Sequence, residues 1–423
     1  MESRRRAKKS ARENGDNTGQ RKKLLFVIST LGTGGAQRAF ANMSLGFPDD
    51  WECDFLLNDD CDVTYPHRGR IISLGLKQQK DKTNLWYQLI VLWTRLRKLK
   101  DLKRRGGYSA CISALTSANV VNVLTGSRYC KTIVSIRVHM SKIIAAEGYK
   151  GKIEYWLTRA LAGRADAVVS VAESARLDLV RNFHIRADKT VTIYNGYLLE
   201  QMRALAEEPL LSQEKAWFRE GCRHLVTVGR LDIQKGQWHL IRAFAKVHRL
   251  CPATRLLILG TGKLEGKLRE LIAGLQLEDA VVLCGFAANP YKILKRCDLF
   301  ILPSLFEGFP NTLAESLCIG VPVVSADCDS GAREILAPGT DIERKVLGDF
   351  EQAQYGILCP VCDGSSKSAQ EELTAEEDVL AEAILFLLRD KDAWKYYQKQ
   401  CDIRARQLSI GQSVRKWMEL IDE

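Results

Sequence analysis

The chain alternates short apolar runs with helical stretches along most of its length. One series of runs starts with "KLLFVIST" at residue 23, and a second starts with "RHLVTVG" at residue 223. Within each series the runs are almost continuously apolar, which is typical of parallel strands whose sheet is covered by helices on both faces. The pattern therefore predicts two doubly wound, Rossmann-like α/β domains with parallel sheets.

The same pattern sets the expected domain boundaries. We expect a first domain over residues 23–198 and a second over 199–404, with the turn signal Asn195-Gly196 near the hinge. A C-terminal helix over 405–423 is predicted to complete the first domain. Ligands of such sheets bind beyond the carboxyl ends of the strands. The central cleft between the two domains is therefore the predicted site.

Charge adds a feature at the start of the chain. The net charge is +11, and the first 23 residues carry nine Lys/Arg against three acidic residues. We predict that residues 1–22 form a basic, disordered tail. An electrostatic tether to an anionic surface is the alternative, and composition does not separate the two.

Composition also limits the compartment and the class of protein. The 13 cysteines lack framework spacing, which is typical of reduced thiols in a cytosolic protein. We expect neither a secretory signal nor a membrane span, because no run of about 18 uncharged apolar residues occurs. The pair Cys359 and Cys362 has zinc-like spacing but no second pair nearby, so we interpret both as core residues and predict no metal site.

Two loops at predicted strand ends could bind a phosphorylated ligand. The segment "GRLDIQKG" (229–236) presents Arg230 and Lys235 beside a helix start, an arrangement that favours a pyrophosphate. Two ordinary surface cations are the alternative. In the first domain, Gly34 and Gly35 of "GTGGAQR" would let the backbone approach a ligand from the opposite side of the cleft. The segment "GTGKLEGK" lacks the Walker A pattern and is rejected as one.

Together these loops resemble a known family. "GRLDIQKG", "LLILGTG" and "CDLFILPSLFEGFPNTLAESLCIGVPVVSADCDSGAREIL" are similar to segments of the retaining glycosyltransferases of family four, which have the GT-B fold. The resemblance is specific across residues 223–363. It includes the family's pair of glutamates, which are Glu307 and Glu315 here, eight positions apart.

The resemblance implies roles for these residues. Glu307 and the segment after it should hold the donor sugar, whereas Glu315 should accept the ribose hydroxyls. Arg230 and Lys235 would neutralise the departing diphosphate, so no metal or other cofactor is expected. Phe286 would border the base. The residues expected to bind the donor are Gly34, Gly35, Phe286, Gly308, Phe309, Pro310, Asn311, Thr312 and Glu315.

The family also implies how the reaction proceeds. The anomeric configuration is retained without an obvious protein nucleophile, and the diphosphate oxygen serves as the base, so that Glu307 positions the sugar. In the first domain, "SIRVHM" (135–140) falls where the family presents a histidine or arginine near the sugar. His139 is our first candidate for a catalytic residue and Arg137 the second. The alternative is that either side chain bonds a neighbouring backbone carbonyl.

The sequence indicates the chemical class of the donor and of the acceptor, but not the individual compounds. The "FEGFPNTLAES" variant favours a UDP-hexose or UDP-N-acetylhexosamine over GDP-mannose, with a glycan or polyprenyl-linked acceptor. Segment 84–105 reads as a helix whose first half suits the core and whose second half turns basic, with Arg97, Lys100 and Arg104. We therefore expect a cytoplasmic protein that docks peripherally on the anionic inner face of the membrane, and a purely structural helix is the alternative. The apolar positions at helical spacing are Trp86, Leu89, Ile90, Trp93, Leu96 and Leu99.

Other classes of protein remain in view. A nucleic-acid-binding protein would explain the positive charge, but no aromatic platform or known module accompanies the basic residues, so nucleic acid is not an expected partner. A non-catalytic sugar-nucleotide-binding protein of the same fold would share every donor contact. A phosphorylase or epimerase of this shape is a third alternative.

Overall fold

The computed structural model describes residues 21–32, 34–76, 85–141, 144, 149–329 and 331–423. The predicted basic tail therefore lies outside the described residues, except for Arg21 and Lys22. The first domain is built on a seven-stranded parallel sheet of order β3-β2-β1-β4-β5-β6-β7. Its strands are β1 (Lys22–Val27), β2 (Trp51–Leu57), β3 (Arg70–Ser73), β4 (Ala110–Ala114), β5 (Lys131–Ile136), β6 (Ala167–Ser170) and β7 (Thr190–Thr192).

Helices cover both faces of this sheet. They are α1 (Gly35–Gly46), α2 (Leu85–Arg105), α3 (Thr116–Leu124), α4 (Tyr149–Ala162) and α5 (Glu173–Phe183). The last helix of the chain, α15 (Ile410–Asp422), also packs here, because its buried residues Val414 and Trp417 belong to the same core cluster as Leu24 and Phe26 of β1. The C-terminus thus returns to the first domain.

The second domain repeats the plan with a seven-stranded sheet of order β10-β9-β8-β11-β12-β14-β13, in which only β13 is antiparallel to its neighbour. Its strands are β8 (Arg223–Val228), β9 (Thr254–Leu259), β10 (Val281–Gly285), β11 (Leu299–Leu302), β12 (Val323–Ala326), β13 (Glu351–Ala353) and β14 (Gly356–Cys359). Its helices are α6 (Leu199–Ala206), α7 (Ser212–Lys215), α8 (Gln237–Leu250), α9 (Glu265–Gly274), α10 (Tyr291–Leu294), α11 (Asn311–Ile319), α12 (Ala332–Leu336), α13 (Ala375–Arg389) and α14 (Lys391–Gln407).

The strand order explains where a ligand would bind. In each sheet the strand order reverses direction at one point. This point lies between β1 and β4 in the first domain and between β8 and β11 in the second. Loops separate at the carboxyl ends of such central strands and leave a crevice. The glycine loop after β1, the loop "GRLDIQKG" after β8 and the Glu307 loop after β11 all start at these two points. The predicted doubly wound α/β architecture is confirmed.

Helix α2 differs from the expectation for its first half. Trp86 is 77% exposed and Trp93 is 59% exposed, and Leu89 and Ile90 are also exposed. The core contacts come instead from the second half, where Leu99 is fully buried. The interpretation of the first half as core-facing is therefore wrong. Among the described residues, no helix combines the length and apolar character needed to cross a bilayer.

Candidate active site

A buried ion pair forms the centre of the cleft wall in the second domain. After β8 the chain makes a 3₁₀ turn, Ile233–Lys235, and then Gly236 at a φ of 59°, where an added Cβ would lie 2.6 Å from the Pro303 carbonyl oxygen. Glycine is needed at this close approach. The turn directs Lys235 into the cleft, where its Nζ lies 2.6 Å from Oε1 of Glu307.

The Glu307 carboxylate is held on both oxygens. Ser304 Oγ donates to Oε1 at 2.7 Å, and Gln234 Nε2 donates to Oε2 at 3.3 Å. Its side chain is only 6% exposed. With a cation and two neutral donors around it, the carboxylate is fixed in one orientation. It is therefore suited to orienting a ligand.

The next residues bring the two domains into contact. Gly308 lies against the first domain, since a Cβ there would be 2.7 Å from the Arg137 carbonyl oxygen and 3.0 Å from Val138 Cα. The Phe309 ring stacks on Tyr194 with centroids 5.8 Å apart. A side chain at position 308 would push the walls of the cleft apart. The Glu307 loop is thus a point where the two domains touch.

Helix α11 begins directly after Pro310, whose carbonyl accepts from the Leu313 and Ala314 N–H groups. Asn311 Oδ1 accepts from Asn195 Nδ2 at 2.7 Å and from the Tyr197 hydroxyl at 2.8 Å. These two donors link the end of the first domain to the start of the helix.

The first turn of α11 also leaves one polar atom unused. Thr312 Oγ1 is buried without a hydrogen-bond partner among the described residues. The N–H groups of Asn311 and Thr312, which come before the first hydrogen bond of the helix, likewise have no partner within it. This end of α11 is therefore prepared to bind an acceptor-rich group such as a phosphate.

Glu315 lies one turn further along α11 and is buried. Its Oε1 is 3.0 Å from Nη1 of Arg38, which reaches across from α1 of the first domain. The Arg38 guanidinium also lies over the Tyr291 ring, 5.3 Å from its centroid. Burial raises the pKa of the Glu315 carboxyl group, and the charge of Arg38 opposes that rise. Sequence reasoning missed Arg38, although it ends the quoted motif "GTGGAQR".

The glycine loop faces α11 from the other side. A Cβ on Gly35 would lie 3.3 Å from Asn311 Nδ2, and the Gly34 N–H lies 3.4 Å from the Tyr65 hydroxyl oxygen. The structure therefore brings together Lys235, Glu307, Gly308, Phe309, Asn311, Glu315 and Gly35 around one cleft.

Two predicted residues lie at the exposed edge of this cluster. The Arg230 side chain is 74% exposed, and its Nη2 lies 3.2 Å from Asp232 Oδ2 and donates to Gln234 Oε1 at 3.4 Å. Its link to Glu307 runs through Gln234. Phe286 follows β10 and is 73% exposed. Their expected contacts with a diphosphate and a base stay predictions.

His139 and Arg137 lie on the first-domain side. His139 Nδ1 is 3.4 Å from Asp178 Oδ2, so the neighbour of its ring is a carboxylate where the alternative interpretation had a backbone carbonyl. Arg137 donates to Asn195 Oδ1 and contacts Ser135 Oγ at 3.5 Å. Burial lowers the pKa of Arg137 to about 10. No carboxylate of the described residues forms an ion pair with it.

The cysteine pair of "CPVC" behaves as expected of core residues. Cys359 is fully buried and Cys362 is 8% exposed. Burial raises the pKa of both thiols well above the ordinary range. Protonated, buried thiols are poor metal ligands and poor nucleophiles.

Comparisons with known proteins agree with this geometry. The family described as "Glycosyl transferases group 1" matches residues 212–354. The chain is 34% identical over 261 residues to an uncharacterized glycosyltransferase of Methanocaldococcus jannaschii, covering 61% of this chain and 64% of that protein. In structure it is similar to HepE of Anabaena, solved with UDP and glucose, with a TM-score of 0.70 at 17% identity over 95% of this chain and 99% of the other.

A further relative covers nearly the whole chain. It is the N-acetylgalactosamine-N,N'-diacetylbacillosaminyl-diphospho-undecaprenol 4-alpha-N-acetylgalactosaminyltransferase of Campylobacter jejuni, 31% identical over 363 residues. The match spans 85% of this chain and 92% of that protein. The chain, with its two Rossmann-like domains and paired glutamates on a GT-B fold, therefore belongs to the group 1 glycosyltransferases.

Proposed function

We propose that the protein is a retaining glycosyltransferase that moves a hexose or N-acetylhexosamine from a nucleotide sugar to a glycan or lipid-linked acceptor. The product would serve the synthesis of a cell-surface polysaccharide or glycoconjugate. The observation that carries the proposal is the buried contact of Lys235 with Glu307 beside the start of α11, with Glu315 on the same helix. We favour a UDP-sugar as the donor. The structural similarity to HepE, which was solved with UDP and glucose, supports this choice.

The spacing along α11 supports this donor. Glu315 is four residues after Asn311, and a helix rises about 1.5 Å per residue, so the two lie about 6 Å apart along the axis. A diphosphate at the helix start would bring the ribose of the same nucleotide close to Glu315. The unpartnered Thr312 hydroxyl and the first-turn N–H groups are suitable donors to phosphate oxygens.

The charge of the leaving diphosphate would be stabilised by the protein itself. Lys235 supplies a fixed cation, the start of α11 supplies a positive dipole end, and Arg230 would add a second cation from the rim. We therefore propose metal-independent transfer. Activity should persist when a chelator is added to the assay.

The bonding of Glu307 supports a positioning role. A nucleophilic carboxylate needs a free oxygen facing the anomeric carbon, but Glu307 already accepts from Lys235, Ser304 and Gln234. We propose that it orients the donor sugar while the acceptor hydroxyl attacks from the leaving-group side. The departing diphosphate oxygen would take the proton. The configuration at the anomeric carbon would then be retained.

The acceptor is proposed to be presented at a membrane surface. The exposed apolar half of α2 is followed by the exposed cations Arg97, Lys98 and Lys100. Such a gradient suits an interfacial helix on an anionic bilayer. The Campylobacter relative is named for an undecaprenol-linked substrate, which supports a lipid-linked acceptor and peripheral attachment at the inner face of the membrane.

The test is a thermal-shift panel of UDP, GDP, ADP and their sugars. A nucleotide that binds the folded state at about 100 times its Kd stabilises it by about 2.7 kcal/mol, so the melting temperature should rise with UDP and its sugars. Glu315→Ala should shift much less, and Arg230→Ala somewhat less. If no nucleotide shifts the wild type, the donor proposal fails.

Transfer is assayed separately. Release of UDP from a UDP-sugar in the presence of an acceptor would support the enzyme. Binding without transfer to any lipid or glycan acceptor would instead indicate a non-catalytic sugar-nucleotide-binding protein. A shift with GDP and GDP-mannose alone would indicate a mannosyltransferase.

A further inference from the structure

Arg137 is a cation at the domain junction whose described partners are all uncharged. It directly follows β5, and its guanidinium lies on the side of the sheet that α1 covers, 6.0 Å from the centroid of the Phe40 ring. Its Nη1 contacts Ser135 Oγ at 3.5 Å, and its Nη2 donates to Asn195 Oδ1. A guanidinium has more N–H donors than these two contacts use, so donors remain available for a ligand.

The neighbouring cations of the cleft are paired with carboxylates. Lys235 Nζ lies 2.6 Å from Glu307 Oε1, and Arg38 Nη1 lies 3.0 Å from Glu315 Oε1. In the part of the chain that the structure describes, no carboxylate pairs with Arg137 in this way. Desolvation lowers the pKa of Arg137 to about 10, because a cation that leaves water without a counter-ion is destabilised. A bound anion would supply the missing charge.

Arg137 borders the segment 308–311, which we expect to bind the donor, in two ways. Its backbone carbonyl oxygen would lie 2.7 Å from a Cβ on Gly308. Its guanidinium is linked to the first residue of α11 through one side chain, because Asn195 Nδ2 donates to Asn311 Oδ1 at 2.7 Å. An anion held at this segment would therefore lie close to the guanidinium.

The start of α11 offers neutral donors to such an anion. Thr312 Oγ1 is buried without a partner among the described residues, and the N–H groups of Asn311 and Thr312 have none within the helix. The start of α1 faces the same point, since a Cβ on Gly35 would lie 3.3 Å from Asn311 Nδ2. Two helix starts and one cation without a carboxylate thus meet where the domains meet, which favours a phosphate.

We propose that Arg137 binds the β-phosphate of the donor nucleotide, so that the leaving diphosphate is held by a cation from each domain. The inference rests on the proposed function and adds a first-domain residue to it. The direction of α11 indicates which phosphate is bound. The ribose is expected at Glu315, one turn after Asn311, so the α-phosphate lies nearer the ribose and the β-phosphate nearer Gly308. A cation there stabilises the charge that develops on the β-phosphate oxygen when its bond to the sugar breaks.

Calorimetric titrations of UDP and UMP test this role, since UMP keeps the ribose and the α-phosphate but lacks the β-phosphate. The wild type should bind UDP more tightly than UMP. Arg137→Gln should lose at least tenfold in affinity for UDP, because charge-assisted hydrogen bonds to the β-phosphate are lost. Its UMP affinity should stay within about twofold of wild type. An unchanged affinity for UDP would overturn the inference.

Arg128→Gln is the matched control. Arg128 is exposed and precedes β5, so it lies at the opposite edge of the parallel sheet from Arg137. Its removal changes the net charge by the same amount and should leave both affinities within about twofold of wild type. If Arg128→Gln loses as much UDP affinity as Arg137→Gln, the effect is one of overall charge and the inference is contradicted.

Arg137→Lys keeps the test informative if the glutamine variant folds poorly. Lysine retains the charge but lacks the planar fork that binds a phosphate with two hydrogen bonds. Arg137→Lys should therefore bind UDP several-fold more weakly than wild type and UMP equally well. An unchanged preference for UDP over UMP would overturn the inference. An equal loss for both nucleotides would also contradict it, because Arg137 would then act on the shape of the cleft and not on one phosphate.

A lipid-linked acceptor carries phosphate as well, so farnesyl diphosphate is titrated into the same variants. If Arg137→Gln loses affinity for farnesyl diphosphate but not for UDP, the cation serves the acceptor and the inference is wrong. The wild type alone tests the proposed function. If it binds no UDP, the proposed function fails, whereas UDP binding that Arg137→Gln leaves unchanged ends only this inference.

Discussion

The two walls of the cleft are built differently. In the second domain the charged groups are already paired, with Glu307 held by Lys235, Ser304 and Gln234. In the first domain Arg137 lacks a carboxylate among the described residues, and elsewhere in that domain helix α2 exposes Trp86 and Trp93. The second-domain wall thus pairs its charged groups and leaves only the neutral Thr312 hydroxyl without a partner among the described residues, whereas the first domain leaves a cation without a carboxylate and exposes apolar surface.

The difference indicates how the two walls relate to their ligands. A nucleotide diphosphate presents the same groups to every enzyme that uses it, so fixed donors and carboxylates serve well. An acceptor varies, and we propose that the first domain is the one that meets it. The family match is confined to residues 212–354, which lie in the second domain.

The largest expected effect concerns helix α2 of the first domain. Changing Arg97, Lys98, Lys100 and Arg104 together to Glu should abolish binding to anionic vesicles. Each basic residue near such a surface contributes about 1 kcal/mol, so the loss is about 4 kcal/mol, or about a thousandfold. Vesicle sedimentation measures it.

The control for this prediction lies in the second domain. Lys391, Lys395 and Lys399 are exposed on α14, and their joint change to Glu alters the net charge without touching α2. This triple change should leave most of the binding to anionic vesicles intact. If the α2 variant sediments with vesicles as the wild type does, the proposal that α2 binds an anionic membrane is contradicted.

The next effect is on the second wall. Lys235→Ala removes the cation from Glu307 and from the expected diphosphate site, and turnover should fall about 10²–10³-fold. The melting temperature should also fall, because a buried carboxylate loses its partner. Both are measured on the purified protein with a UDP-sugar donor.

Lys263→Ala is the matched control for the lysine. Lys263 is an exposed cation in the loop after β9 and takes no part in the cleft contacts. Its loss should leave turnover within about twofold of wild type. A Lys235 variant that is equally active would show that the ion pair is structural only.

The smallest effect lies where the walls meet. Arg38→Ala should weaken UDP binding several-fold more at the acidic end of the protein's stable pH range than at the alkaline end. Burial raises the pKa of Glu315 and Arg38 opposes the rise, so without Arg38 the pKa climbs further. Falling pH then protonates the carboxyl group, and a neutral carboxyl group is a weaker acceptor. UDP titrations at both ends of this range measure this, and an identical loss at both would contradict it.

Much of the second wall was predictable from the sequence because its parts are local. Buried strands can be recognised in the sequence as apolar runs. Glu307 and Glu315 lie only eight residues apart, in the loop before α11 and in α11 itself. The contact of Lys235 with Glu307 joins residues 72 positions apart but starts from two adjacent central strands, β8 and β11. Strand order could therefore anticipate that they would meet.

The cross-domain contacts could not be anticipated in this way. Arg38 meets Glu315, and Asn195 and Tyr197 meet Asn311, only because the domains face each other at one particular angle. No periodicity encodes that angle. The exposed half of α2 was misassigned for a related reason, since an apolar stripe looks the same whether it faces the core or a partner.

The most direct measurement is a calorimetric titration of UDP into the wild type and Glu315→Gln. Two charge-assisted hydrogen bonds to ribose would be weakened, so we predict at least tenfold weaker binding by the variant with an unchanged fold. Equal affinity of the two proteins, or no binding of UDP by either, would contradict the assignment of this cleft as a nucleotide-sugar site.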